Sequence, residues 1–467
     1  MSTNGSRKPY IVVFGPQNVG KSTLVGYLYT KDWTQEQFEI EEEKIKRITG
    51  SNFDLRSRLA LFVDTAKDEY INTYSDGTSK HIHIKQVGDF TWIDTPGALT
   101  QRKERYKGVF LGEVGLFLIE LEKIVDLINN KDIDYPSILN LFGSLFVWQK
   151  LKPDSDYLIG LTKIDNNEYS SENILRAISF VKNQVGNNRL KNIVPISIDV
   201  ENRLDVGITS STPFCSESLL EAISGIDNMK LDDGCERLFL INDKKFGNVQ
   251  GYGIIYRWKV NRGLLKQNDR VKLSPVIIND KTIDAVTAEV RSLQNINKKT
   301  VKEVNNGEVV SIYFSKYKDM TNRTITRDAI EVLKTTIVTD LNTYPLSGDM
   351  IDLDVDISDC SSFEREKLLT ATSRSQVWIA WFGRMISTEL RFNNGVSRTH
   401  YIRIQLQSQS KNAIFSIPKT DDMFYSTRCI IQLRIIDPQK AYPVFATYKA
   451  FVKNISCSKE LNERIIK

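Results

Sequence analysis

Hydrophobic residues follow two regimes along the chain. In the first half, short unbroken apolar runs alternate with longer segments in which apolar positions recur every three or four residues. PYIVVF, DFTWID, VGLFLIEL, DYLIGLTKID and NIVPISID are the runs, a pattern that predicts strands buried on both faces. KSTLVGYLY, EKIVDLINN, SENILRAISFVKNQV and SESLLEAISGI are the periodic segments and predict helices. This alternation predicts a mostly parallel sheet with helices on both faces. NMKLDDG then reads as a linker, and from Arg237 the regime changes. RLFLIND, GIIYRWKV, DRVKLSPV, AEVRSLQ and GEVVSIYF are short strands separated by Gly, Asn and Asp turns, which predicts a small β-barrel or sandwich. Beyond a less legible stretch, about 321 to 345, a second β-rich unit carries DMIDLDVDIS, SQVWIAWFG, HYIRIQLQ, TRCIIQLRII and PVFATYKAFV.

Composition narrows this picture. At 467 residues the chain exceeds what one core organises, and 41% apolar with 26% charged residues is a globular balance. No run approaches the roughly 20 apolar residues of a membrane span. MSTNGSRKPY has no apolar core behind its charges, so no secretory leader is expected. Five scattered cysteines and three histidines give neither a disulfide framework nor a zinc site, and a cytoplasmic setting is expected. The formal charge of +5 permits an RNA partner without requiring one. QRKERYK at 101–107 reads as a solvated helix face, and neither DNA nor a membrane is an expected partner.

The chemistry starts at Gly15-Pro16-Gln17-Asn18-Val19-Gly20-Lys21-Ser22, which fits G-x-x-x-x-G-K-[ST] between a strand and a helix. Backbone N–H groups of such a loop, with the helix amino terminus, surround a β-phosphate, and Gly15 and Gly20 let the backbone curl closely. Asn18, Val19 and Thr23 complete the cradle. Lys21 neutralises the β- and γ-oxygens, and the Ser22 hydroxyl is placed to ligate Mg2+. Asp94-Thr95-Pro96-Gly97 ends the strand DFTWI. There Asp94 reaches the metal side and the Gly97 N–H meets a γ-phosphate, a contact that exists only with the triphosphate. Thr162-Lys163-Ile164-Asp165 ends another strand. A carboxylate at Asp165 accepts from both N1–H and the exocyclic amine of guanine, a donor pair that adenine lacks. Ser197 in PISID would let backbone N–H groups meet the guanine O6. Their order favours GTP and GDP over adenine nucleotides.

With these residues the chain resembles the translational GTPase superfamily, the group containing elongation factor Tu. Further along, Gly251-Tyr-Gly253-Ile-Ile-Tyr-Arg-Trp258-Lys-Val260-Asn-Arg-Gly263 is similar to the glycine-punctuated run of that family's second domain, with Trp258 where a glycine is usual. Gly108 also stands where the family has a glycine. The resemblance implies a multidomain fold, a G domain at 1–228 followed by β-barrels at 235–322 and 323–467. It implies GTPase activity and a ribosome, tRNA or other RNA, or a protein activator, as partner.

Three departures qualify that implication. Family members carry a water-orienting histidine after D-x-P-G, and this chain has Ala98, leaving Lys21 and Gly97 as the catalytic residues carried over. A methyl group cannot hydrogen-bond the attacking water, so hydrolysis is expected to be slow or partner-activated. Gln101, His81 and His83 are the nearby substitutes, although the histidines alternate with isoleucines as one face of a strand does. In the first switch, the family register sets Ser75 at the metal-contacting threonine, with Thr78 a second candidate. Thr162 replaces an asparagine whose amide braces the phosphate loop. The alternatives to a switch are a non-catalytic protein whose partner contacts depend on guanine nucleotide, and the GTPase subunit of sulfate adenylation, which also resembles the family.

Overall fold

The computed structural model describes residues 6–49, 59–60, 62, 80–84, 90–95, 108–129, 135–165, 170–186, 189–199, 204–227, 229–230, 239–249, 253–279, 281–283, 285–295, 299–343, 345–356, 366, 369, 376–381, 384–394, 401–409, 414–418, 425–434 and 443–456. They divide into two compact units, Ser6–Met229 and Lys230–Lys467 with the first five residues.

The first unit is built on a seven-stranded sheet. Its strands are β1 (Tyr10–Phe14), β2 (Lys80–Ile84), β3 (Phe90–Asp94), β4 (Val114–Glu120), β5 (Tyr157–Thr162), β6 (Leu190–Asp199) and β7 (Leu204–Val206), in the order β2-β3-β1-β4-β5-β6-β7. The five central strands are parallel, and β2 and β7 run antiparallel at the edges. Every residue of β1, β3 and β5 is buried, which is why those runs lack polar alternation. Helices α1 (Lys21–Thr30), α2 (Gln35–Thr49), α3 (Leu121–Asn129), α4 (Tyr135–Leu151), α5 (Ser171–Val185) and α6 (Leu219–Ser224) are described with it.

The helix boundaries have local causes. In α5, Ile174, Ala177, Ile178, Val181 and Val185 bury one face. Ser170 accepts from the Asn173 N–H at its start, and Gly186, at φ 68°, ends it. A reciprocal cap starts α6: Ser218 accepts from the Glu221 N–H at 3.2 Å, and the Glu221 carboxylate accepts from the Ser218 N–H at 2.7 Å. Those hydrogen bonds hold the Glu221 carboxyl below its usual range. Beneath the sheet, Phe14 stacks on Phe117 at 5.0 Å, and Trp148 of α4 meets both edge-on.

The second unit contains two closed barrels. In the first, Arg270–Ile278, Ile330–Asp340, Phe239–Val249, Gly253–Arg262, Val309–Lys318 and Val286–Asn295 follow one another, and the Arg270↔Glu289 pairing closes the ring. In the second, the order is Met350–Asp356, Tyr401–Ser408, Arg384–Asn394, Gln376–Trp381, Tyr425–Arg434 and Pro443–Ser456. The expected G domain followed by two β-barrels is therefore the observed fold. One boundary moves: Ile330–Asp340 lies beyond residue 322 yet completes the first barrel, pairing with strands that begin at Phe239 and Arg270. Trp258 fills that barrel's interior, wholly buried and edge-on to Phe314 at 6.0 Å. A glycine there would leave the space against Phe314 empty. Gly263, at φ 82°, makes the turn that leaves Gly253–Arg262.

Two outcomes follow. Trp258→Ala should lower unfolding stability of the barrel by about 3–5 kcal/mol in a denaturant titration, and a loss below about 1 kcal/mol would contradict this packing. Because the folded-state value of Glu221 is lowered, its carboxylate adds stability above its ordinary range and loses it as pH falls through the folded value. Glu221→Gln should therefore melt below the unaltered chain near neutrality, and the gap should close in acid.

Candidate nucleotide site

The ends of β1, β3, β5 and β6 bring most of the described candidate residues to one edge of the sheet. After β1 the backbone turns through Gly15 at φ 153°, Asn18 at φ 64° and Gly20 at φ 96°, conformations that favour glycine and that asparagine tolerates. A Cβ on Gly15 would lie 2.6 Å from the Leu118 carbonyl oxygen and 2.7 Å from Val19. The loop is thus held against β4, with Val19 buried. Gly20 caps α1 without a side-chain hydrogen bond, and the first turn holds no acidic residue. That leaves the amide groups and the positive end of the helix to an anion.

Lys21 is buried at 6% exposure, and its Nζ donates to the carbonyl oxygens of Gly15 (3.0 Å) and Pro16 (2.7 Å). The next side chain spans the gap to β3: Ser22 Oγ donates to Asp94 Oδ2 at 2.7 Å. Asp94 is 6% exposed, and its other oxygen, Oδ1, is buried without a hydrogen-bond partner among the described residues. Thr95 donates to the Val13 carbonyl at 2.6 Å and pins the end of β3 to β1. A hydroxyl beside a buried, half-satisfied carboxylate fits Mg2+, which takes one or two protein oxygens and completes its shell with phosphate and water.

Adjacent strands lie about 4.8 Å apart, so the end of β5 stands about 10 Å from that of β1, and β6 about 14 Å. There Ser197, 7% exposed, donates its hydroxyl to Asp165 Oδ1 in a short hydrogen bond. Expectation had assigned Ser197 only a backbone contact with the base; its side chain also orients the carboxylate. Thr162 turns its hydroxyl to the Ile119 carbonyl at 3.5 Å, between neighbouring strands. Lys163, at φ 60°, pairs its Nζ with Glu120 Oε1 at 2.9 Å. Glu120 was not singled out from the sequence, although a lone carboxylate ending the apolar run VGLFLIE was its signal.

His81 and His83 fall on β2, opposite Ile93 and Thr91 of β3, in the expected alternation. Ser75, Thr78, Gly97, Ala98 and Gln101 lie outside the described residues. Gly108 is explained by packing, since a Cβ there would lie 2.6 Å from Thr95. No helix among the described residues is long and apolar enough to cross a membrane.

A glycine-turned loop after β1, a hydroxyl–carboxylate pair beside it and a second carboxylate two strands away thus share one edge of the sheet, the arrangement the P-loop pattern predicts. No protein-family model matches the chain, and no curated protein matches it in sequence. Solved structures do match. The GTPase-like domain of Ski7 from S. cerevisiae, solved with GTP and with GDP and inorganic phosphate, superposes at TM-score 0.63 and 14% identity over 96% of this chain and 97% of that one. Elongation factor SelB from Methanococcus maripaludis, with the GTP analogue GppNHp, gives 0.59 and 14% over 98% and 81%. A bacterial selenocysteine-specific elongation factor, EF-Sec, gives 0.50 and 13% over 91% of this chain, which spans only 56% of that factor. The chain has the fold of the translational GTPases.

The geometry yields a direct test. Asp165→Asn would put an amide donor where the sequence leads one to expect an acceptor for the guanine amine. It should weaken GDP binding about ten- to a hundredfold and narrow the gap to xanthosine diphosphate, as measured by calorimetric titration. Unchanged GDP affinity would remove Asp165 from the site.

Proposed function

We propose that the chain is a guanine-nucleotide-binding switch of the elongation-factor type, cytoplasmic, whose GTP hydrolysis is slow until an RNA, ribosome or protein partner completes the site. The observation that carries this reading is the convergence of the Ser22–Asp94 and Asp165–Ser197 contacts on one sheet edge, each with the chemistry its end of a guanine nucleotide needs. The neighbours solved with GTP, GDP or GppNHp support it, through fold alone.

The phosphates sit on the backbone N–H groups of 17–22, and Lys21 exchanges its loop carbonyls for β- and γ-oxygens, to which its charge is better matched. Ser22 and Asp94 would hold Mg2+, which when bound neutralises those same oxygens. Asp165, oriented by Ser197, selects the base. The Gly97 amide senses the γ-phosphate, and Ser75 or Thr78 supplies the first-switch hydroxyl. Ala98 offers the attacking water nothing to bond, so catalysis depends on positioning by a partner.

Ala98 also favours a second reading, a non-catalytic interaction protein whose bound guanine nucleotide is structural. The two separate in a single-turnover assay of Ala98→His with and without ribosomes. The switch reading expects GTP to outcompete ATP by at least about a hundredfold and the histidine to raise ribosome-dependent hydrolysis roughly 10²–10⁴-fold. Equal ATP affinity would overturn the guanine assignment, and no gain from the histidine would favour the second reading.

A further inference from the structure

We infer that Glu120 is a positioning residue of the nucleotide site, holding the Lys163 ammonium over the end of β4, where it faces the sugar side of a bound guanine nucleotide. The inference rests on the functional reading above and adds a residue that the phosphate-loop, D-x-P-G and T-K-x-D patterns do not contain.

Topology comes first. β4 lies between β1, which delivers the phosphate loop, and β5, which delivers Thr162 to Asp165. Glu120 is the last residue of β4 and stands opposite Thr162 in the parallel register. One strand turn earlier, the Leu118 carbonyl already abuts Gly15 of the phosphate loop. A nucleotide spanning both halves of the site must therefore cross Glu120.

The electrostatics then restrict its role. A carboxylate beside a polyphosphate repels it unless neutralised, and among the described residues Lys163 is the ion-pair partner of Glu120, at 2.9 Å. The two side chains are 29% and 18% exposed, so the pair itself adds little to stability. Yet Lys163 adopts a left-handed backbone, φ 60°, which an unbranched side chain reaches only against strain. Strain retained for a weak pair at a strand end is explained if the pair presets a cation for a ligand. Glu120 also fixes the long, rotamer-rich lysine before binding, which lowers the ordering cost when nucleotide arrives.

The test is a titration of the full chain with fluorescent GDP and GTP analogues in Mg2+, alongside thermal melts without nucleotide. Glu120→Gln should weaken GDP and GTP alike by about fivefold while leaving the nucleotide-free melting midpoint in place. Glu120→Asp should recover part of the loss. Lys163→Met, which leaves Glu120 uncompensated, should bind more weakly than the double variant Glu120→Gln/Lys163→Met. Unaltered affinity in Glu120→Gln, losses that simply add in the double variant, or a loss that tracks a lowered melting midpoint would each overturn the positioning role. If the unaltered chain binds no guanine nucleotide, the functional reading falls and takes this proposal with it. If it binds and Glu120→Gln binds equally well, this proposal alone falls.

Discussion

A single 2.7 Å contact, from the Ser22 hydroxyl in the first turn of α1 to the Asp94 carboxylate at the end of β3, ties together the parts on which the proposed nucleotide site depends. The two residues are distant in sequence, and they meet because β1 and β3 are adjacent parallel strands in register, Val13 opposite Asp94. The Thr95 hydroxyl on the Val13 carbonyl fixes that register at its end. Were the pairing to slip by one residue, Asp94 would turn toward the opposite face of the sheet and the phosphate loop would lose its acidic neighbour.

From that anchor the rest follows by strand spacing. Parallel strands end on the same edge, so loops that leave them must carry whatever binds there. The phosphate loop occupies one end of this edge and Asp165 with Ser197 the other, and β4 with Glu120 fills the interval. The sheet centre can be wholly apolar because none of the chemistry is asked of it. The barrels reach closure by a different route, packing their interiors with large side chains such as Trp258.

What the sequence disclosed and what it withheld divide along local and non-local lines. The phosphate loop, the strand-end position of Asp165 and the five strand runs of the last barrel were legible because each signal lies within a dozen residues. Ile330–Asp340 was not, because its partners lie far upstream and only that pairing makes it part of the first barrel. Arg384–Asn394 was missed for a related reason: RMISTELRFNN mixes charges into its alternation and is a strand only by virtue of its neighbours. At the site, the hydroxyl of Ser197 and the Glu120–Lys163 pair depend on inter-strand register, which periodicity within one strand does not encode. Trp258 looked like a defect in a glycine pattern and is a wholly buried member of a core.

The central claim is that one ligand engages both ends of this edge at once. Amide hydrogen exchange followed with GDP and Mg2+, and separately with ADP and Mg2+, addresses it without mutation. The account predicts that GDP slows exchange at 15–22 and at 162–165 together, and that ADP does not reproduce the second effect. Protection confined to the phosphate loop and equal for both nucleotides would contradict it.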